Sequence, residues 1–109
     1  MRRGDVVAVA VPGDYGKPRP AVIVQTDAFP DSHPSIVVCQ MTSRLVDAAD
    51  FRVTIDPTSE NGLRTPSQVM ADKPVTVRRE RIGQRIGRLG ADDMARLNAA
   101  LAFVMGLAD

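Results

Sequence analysis

Short runs of β-branched residues, each bounded by Gly, Pro, Asp or Ser, fill most of the chain before residue 90 and predict strands. The clearest runs are 4–11, 19–26, 35–42 and 51–55. The first two are nearly continuous in apolar residues, which is typical of strands that are covered on both faces. The fourth alternates, as a half-buried strand does. Two further runs follow at 68–71 and 75–89, where Gly83 and Gly87 are expected to mark bends or bulges between short strands.

The hydrophobic period changes after Gly90. Apolar residues then recur at helical spacing, namely Met94, Leu97, Leu101, Val104 and Ala108. Asp92 and Asp93 lie in the first turn, where carboxylates favour the positive end of the helix dipole. This pattern predicts one amphipathic helix over 91–107 that closes against the strands. The predicted fold class is therefore mainly β with a C-terminal α-helix, as a strongly bent antiparallel sheet or half-open barrel.

Size and composition agree with one soluble globular domain spanning residues 1–109, with 44% hydrophobic and 25% charged residues. No segment approaches the roughly 18 apolar residues that span a bilayer. The N-terminus is briefly basic and then apolar, but Asp5 interrupts it and no small-residue cleavage site follows, so we expect a cytoplasmic protein. The single Cys39 excludes a disulfide within the chain and is expected to be a buried structural thiol.

Charge is unevenly distributed in a chain whose net charge is only +1. Residues 27–60 carry a balance of −4 and residues 73–90 a balance of +5. The basic segment suits a polyanion or an acidic partner. It is also compatible with a solvated strand surface, and the sequence leaves both interpretations open.

Arg19 stands between Pro18 and Pro20 at the start of an apolar run. Proline fixes its own φ and biases the preceding residue toward extended backbone, so Arg19 is expected to be held extended at the mouth of a strand. A five-donor, always-charged side chain in such a frame is a candidate anion-binding group. The alternative is a solvated arginine at a strand edge.

Few residues are available for other kinds of catalysis. His33 is the single histidine, with no cysteine partner at metal-ligand spacing, so neither a zinc site nor any other metal site is expected. No Gly-rich loop precedes the predicted helix, which argues against a nucleotide phosphate cradle. A Ser-His-Asp triad would require His33 to act from a proline-flanked loop, and we disfavour it. The remaining candidates are Arg19, the hydroxyl pair Thr42 and Ser43, and the later basic strands.

Several segments resemble one known family when they are taken together. They are Gly4-Asp5, the sequence RPAVIV at 19–24, QMTS at 40–43, Gly62-Leu63 with Ser67 and ADK at 71–73, and MARLNAAL at 94–101. Over nearly the whole chain they resemble the MazF/PemK family of toxin endoribonucleases. The resemblance implies an SH3-like barrel with a C-terminal helix that forms a homodimer. It also implies cleavage of single-stranded RNA without a metal or other cofactor, and neutralisation by a cognate antitoxin protein.

The resemblance also implies roles for individual residues. The family's key arginine falls on Arg19 and its key hydroxyl on Thr42, and the loop PGDYGK at 12–17 corresponds to a loop that borders the RNA site. Lys73 stands where relatives have an amide side chain. This difference from the family pattern concerns base recognition. The expected RNA-contacting residues are Lys17, Ser43, Asp72, Lys73, Arg78 and Arg79.

Two alternatives share this predicted fold. A gyrase-poisoning toxin of the CcdB type acts by contact, but its C-terminal motif contains an aromatic residue, whereas this chain has no Trp and ends in MGLAD. A non-catalytic RNA-binding barrel usually stacks bases on exposed rings, and only 4% of these residues are aromatic.

Overall fold

Over the residues that the structure describes, six strands and one C-terminal helix form the fold. A computed structural model of the chain describes residues 1–11, 13, 16–107 and 109. The strands are β1 (Asp5–Val9), β2 (Arg19–Ile23), β3 (Ser35–Thr42), β4 (Arg52–Ile55), β5 (Ser67–Arg78) and β6 (Ile82–Arg88), and the helix is α1 (Ala91–Val104). A short 3₁₀ turn, Arg79–Arg81, joins β5 to β6. All neighbouring strands are antiparallel, in the order β4-β5-β3-β2-β1-β6.

β5 is a single strand of 12 residues, so the prediction of two separate runs on either side of residues 72–74 was wrong. Pro74 lacks a ladder donor but is tolerated because it adjoins a bulge. Cys39 pairs with Pro74 and Met41 with Val69, which leaves residues 70–73 of β5 opposite Gln40 alone. The bulge inverts the alternation of side chains, so that the two halves of β5 contribute to different apolar clusters.

The register between β1 and β6 shifts twice. One shift lies next to Gly87, which pairs with Val6, and the other lies in the stretch between Arg85 and Ile82 that contains Gly83. The expected bulges are therefore present, but they lie inside one continuous strand rather than between strands.

Two buried clusters cover the two faces of the sheet. The first, between the sheet and α1, contains Val6, Val22, Cys39, Met41, Val53, Ile55, Val69, Ala71, Leu89, Leu97 and Ala100. The second lies on the other face of the sheet and contains Val7, Val9, Ala21, Ile23, Ile36, Val38 and Val77. Alternate residues of β1 and β2 thus point into different clusters, which confirms that these strands are covered on both faces.

α1 packs against β4 and β5, as expected for a closing helix. Leu97 is buried, and Met94 and Leu101 pack against the first cluster, whereas Val104 remains exposed. The helix ends at Val104, earlier than predicted, because Gly106 adopts a left-handed conformation with φ of 69° that terminates it. Ala108 lies outside the described residues.

The sheet curls without joining its edges, because β4 and β6 end the strand order. This confirms the predicted half-open barrel with a C-terminal helix. None of the helices that the structure describes is long and apolar enough to cross a membrane.

Candidate active site

A row of polar residues crosses four adjacent strands at one end of the sheet. Ala21 pairs with Gln40, and continuing this register by two residues places Arg19 of β2 opposite Thr42 of β3. Thr42 pairs in turn with Gln68 of β5, and Gln68 pairs with Thr54 of β4. Residues directly opposite in a ladder share a face of the sheet. Arg19, Thr42, Gln68 and Thr54 are called the polar row below.

Arg19 is the first residue of β2 and pairs with Val9 of β1. Its backbone is therefore extended, as the flanking prolines predict, and its side chain is exposed. By strand alternation it lies on the same face as Ala21 and Ile23, just beyond the second cluster. This position places a guanidinium fork at the start of β2, beside the second cluster, where it can form charge-assisted hydrogen bonds to phosphate oxygens.

Thr42 ends β3 and is half-buried. Its Oγ1 accepts a hydrogen bond from the backbone N–H of Arg44 at 3.1 Å. This local turn orients the side chain and occupies one lone pair of the oxygen, and it leaves the O–H of Thr42 able to donate to a ligand. Ser43, the next residue, is exposed.

The two lysines that were predicted to contact RNA lie at the same end of the sheet. Lys17 is exposed two residues before Arg19. Lys73 is exposed in the β5 bulge opposite Gln40, which is two residues before Thr42. Of the loop that was expected to border the RNA site, Pro12, Asp14 and Tyr15 lie outside the described residues.

Asp72 is bound to a neighbouring strand. Its Oδ1 accepts a hydrogen bond from Nε of Arg52 at 3.1 Å, and both side chains are largely buried, at 27% and 14% exposure respectively. The carboxylate that was expected to contact RNA therefore already has a cationic partner within the sheet.

The structure does not bring Arg78 and Arg79 together with the polar row. Arg78 pairs with Ser35 at the opposite end of β3 from Thr42, a separation of about 23 Å along an eight-residue strand. Arg79 donates from Nε to the carbonyl oxygen of His33 at 2.8 Å. His33 lies in the loop before β3, against the ring of Phe29.

Asp5 neutralises part of the basic segment. It is 4% exposed, and its Oδ1 lies 3.3 Å from Nε of Arg85 and 3.1 Å from Nη1 of Arg88, while Oδ2 accepts the backbone N–H of Arg2. Burial alone would raise the pKa of Asp5, but the hydrogen bonds from Arg2, Arg85 and Arg88 outweigh it and hold the pKa below the ordinary 3.8. The positive charge available to a ligand is therefore smaller than the sequence balance indicates.

Cys39 is fully buried in the first cluster. Burial and the nearby charge of Asp72 raise the pKa of its thiol to about 12, so the nucleophilic thiolate is suppressed. This confirms the interpretation as a structural thiol. Within the described ranges, no three His, Cys, Asp or Glu side chains are grouped so that they could hold a metal ion.

Gln68 is the residue of this region that the sequence analysis missed. It is buried, and its amide binds Thr54 and the backbone of Val46. In the sequence it is simply the polar residue that opens a short apolar run. Its partners lie 14 and 22 residues away, so no local pattern identifies them.

Comparisons with known proteins find similarity to one family over nearly the whole chain. A family model described as PemK-like, MazF-like toxin of type II toxin-antitoxin system matches residues 2–105. A probable endoribonuclease MazF of Mycolicibacterium smegmatis is 44% identical over 109 residues, which cover 99% of each chain. Endoribonuclease MazF9 of Mycobacterium tuberculosis is 29% identical over 116 residues, covering 98% of each. Among solved structures, a mycobacterial endoribonuclease in complex with its cognate antitoxin superposes with a TM-score of 0.82 at 25% identity, covering 98% of this chain and 96% of that one.

Proposed function

The chain belongs to the PemK-like, MazF-like toxins of type II toxin-antitoxin systems, and from this premise we propose that it cleaves single-stranded RNA with Arg19 and Thr42 as its catalytic residues. Its family and its named relatives make it an endoribonuclease toxin and favour this function over gyrase poisoning or RNA binding without cleavage. The cleavage chemistry and the residues that perform it are the proposal. The observation that carries it is the register of β2 against β3, which places the guanidinium of Arg19 and the oriented hydroxyl of Thr42 on adjacent strands.

RNA supplies the nucleophile in the proposed reaction. The 2′ oxygen attacks the adjacent phosphorus, the bond to the 5′ oxygen breaks, the 2′-hydroxyl loses its proton and the departing 5′ oxygen gains one. The products are a 2′,3′-cyclic phosphate and a 5′-hydroxyl end. DNA lacks the 2′-hydroxyl and should resist cleavage.

The protein has to orient the phosphate and stabilise the additional negative charge of the transition state. A guanidinium is a poor base, so we assign Arg19 to charge stabilisation. The O–H of Thr42 donates to a non-bridging phosphate oxygen or to the 2′ oxygen. Lys17, Ser43 and Lys73, which are exposed at the same end of the sheet, contact the flanking nucleotides. Arg19 and Thr42 are called the catalytic pair below.

Cleavage of a long single-stranded RNA by the purified protein in the presence of EDTA tests the proposal. We expect discrete fragments with 5′-hydroxyl ends, and no cleavage of the same sequence as DNA. Intact RNA, or fragments that require added divalent metal, would contradict it. An Arg19→Ala preparation controls for contaminating nucleases.

A cognate antitoxin and a second copy of the chain are the proposed protein partners, and the cytoplasm, where messenger RNA is found, is the proposed location. An exposed apolar cluster at the end of α1, consisting of Phe103, Val104, Met105 and Leu107, supports self-association. Exposed Arg78 and Arg81 support an acidic antitoxin segment.

A further inference from the structure

We propose that Gln68 is a positioning residue for RNA cleavage, because it fixes the turn that follows Thr42. The inference rests on the proposed function of the catalytic pair. Gln68 lies in the polar row directly between Thr42 and Thr54 and is only 4% exposed. It therefore acts on the substrate indirectly, by positioning other residues, and not by direct contact.

The Gln68 amide holds both backbone polar groups of one loop residue. Its Oε1 accepts the N–H of Val46 at 3.1 Å, and its Nε2 donates to the carbonyl oxygen of Val46 at 2.9 Å. Nε2 also donates to Oγ1 of Thr54 at 3.2 Å. One acceptor and two donors are used, which is the chemistry of a neutral amide and of neither a carboxylate nor a hydrocarbon.

The same turn is fixed at its other end by Thr42, whose Oγ1 accepts the N–H of Arg44. The segment 42–46 is therefore tied to the sheet at its first and last residues. Between them, Ser43, Arg44 and Leu45 are exposed, Leu45 to 50%. A hydroxyl, a cation and an apolar side chain are thus presented beside the catalytic pair, where nucleotides flanking the cut phosphate would lie.

Loss of the amide should release the turn without unfolding the protein. Val46 is 43% exposed, so water can replace the amide at its backbone groups. Methionine has nearly the length and shape of glutamine and is suited to a buried site. A released turn would misplace the Thr42 hydroxyl and the side chains after it, and a misplacement of about 1 Å can cost on the order of a hundredfold in rate.

The test compares Gln68→Met with Thr54→Val, which removes one partner of the amide but leaves both bonds to Val46. Each protein is assayed in single turnover at saturating enzyme with an oligonucleotide that carries one ribose at the cut site. Binding is measured with the all-deoxyribose version. We expect Gln68→Met to slow cleavage by about 10- to 100-fold, with a much smaller change in Kd, and Thr54→Val to cleave nearly as fast as wild type.

Three other outcomes would overturn the inference. If folded Gln68→Met cleaves at the wild-type rate, even with a lower Tm, Gln68 is merely structural while the proposed function stands. An equal loss of cleavage rate in Thr54→Val would show that packing around Gln68 and Thr54 affects the rate, rather than the bonds from Gln68 to the turn at Val46. If the wild-type protein fails to cut, both the inference and the proposed function fall. Should Gln68→Met not fold, Gln68→Asn, which keeps a buried amide one methylene shorter, replaces it with the same expectations.

Discussion

At the scale of single residues, the site depends on what each side chain offers. Arg19 presents a planar fork of donors from the first position of β2, where two flanking prolines restrict its backbone. Thr42 presents an O–H whose oxygen is already oriented by Arg44. A charge donor and a neutral donor on neighbouring strands should contribute unequally to a transition state that gains negative charge.

We predict that Arg19→Ala nearly abolishes cleavage and that Thr42→Ala lowers it less. Loss of one preorganised charge donor should cost about 3–4 kcal/mol, or roughly a hundred- to a thousandfold in the single-turnover rate. Arg19→Lys should recover little, because an ammonium cannot reproduce the bidentate fork. Circular dichroism checks the fold, and near wild-type rates in a folded Arg19→Ala protein would exclude the arginine from the reaction.

Asp5 makes the stability of the fold depend on pH. Its pKa is lower in the folded protein than the ordinary 3.8, so its stabilising contribution is present above that pH and is lost as the pH falls through the lower, folded value. We predict that Asp5→Asn lowers the free energy of unfolding at neutral pH by about 2 kcal/mol, since Arg85 and Arg88 are half-exposed and partly screened.

Urea denaturation at a series of pH values measures this effect. The difference between wild type and Asp5→Asn should shrink as the pH is lowered from about 5 to about 3. Asp31→Asn, at an exposed loop position, is the matched control and should change stability by less than about 0.5 kcal/mol. A difference that is constant across the pH range would rule out the ionised Asp5 as its source.

At the scale of elements, the loop between β4 and β5 is folded around Asn61 and docked on β6. Asn61 is 1% exposed. Its Oδ1 accepts the N–H groups of Thr58 and Leu63, both at 3.0 Å, and its Nδ2 donates to the carbonyl oxygen of Asp56 at 2.9 Å. Gly62 follows with φ of 70°, a left-handed conformation that glycine adopts without steric cost and that completes the turn.

We predict that Gly87→Ala is destabilising, because a Cβ at this position would collide with the backbone of Asn61 and Glu60. The loop would have to move off β6, at a cost of about 1–3 kcal/mol in the free energy of unfolding. Gly90→Ser is the control, since a Cβ there meets open space, and it should stay within about 0.5 kcal/mol of wild type. Equal stability of Gly87→Ala and wild type would mean that the loop is not packed as described.

At the scale of the whole molecule, the exposed cluster at the end of α1 supports a homodimer. Met94, Leu97 and Leu101 are used within the monomer, but Phe103 is 55%, Met105 61% and Leu107 75% exposed. We predict a dimer at micromolar concentration by light scattering, and a monomer after Phe103→Asp combined with Leu107→Asp. Ser32→Asp, at an exposed loop position remote in sequence, should remain a dimer. A monomeric wild type would count decisively against self-association.

The antitoxin prediction also belongs to this scale. Arg78 and Arg81 are exposed at the end of β5 and in the 3₁₀ turn, whereas the catalytic pair lies at the other end of β3. An acidic antitoxin segment that covers both must be extended over about 23 Å, or about seven residues. We predict that Arg78→Glu combined with Arg81→Glu lowers the affinity for the antitoxin and makes that affinity less dependent on salt, as measured by calorimetry. Arg64→Glu, the control, should have a smaller effect on both. Unchanged affinity would place the antitoxin elsewhere.

Local patterns in the sequence determined the elements of this protein. Runs of β-branched residues specified the strands because side chains alternate along a strand, and apolar residues at helical spacing specified α1 for the corresponding geometric reason. The two prolines around Arg19 restricted its backbone directly, and the apolar neighbours of Cys39 indicated its burial. The β5 bulge was missed, because Pro74 alone reads as a strand break while the partner strand decides whether it can be accommodated.

Tertiary structure alone decided which charges and amides meet. Asp5 binds Arg88 across 83 residues of sequence, which removes positive charge that the segment balance had counted. The register of β3 with β5 places Gln68 beside Thr42 and Arg78 at the other end of β3. Sequence periodicity specifies which face of a strand a residue occupies. Which residue lies opposite depends on the register, which is set by turns, bulges and core packing between segments far apart in the chain.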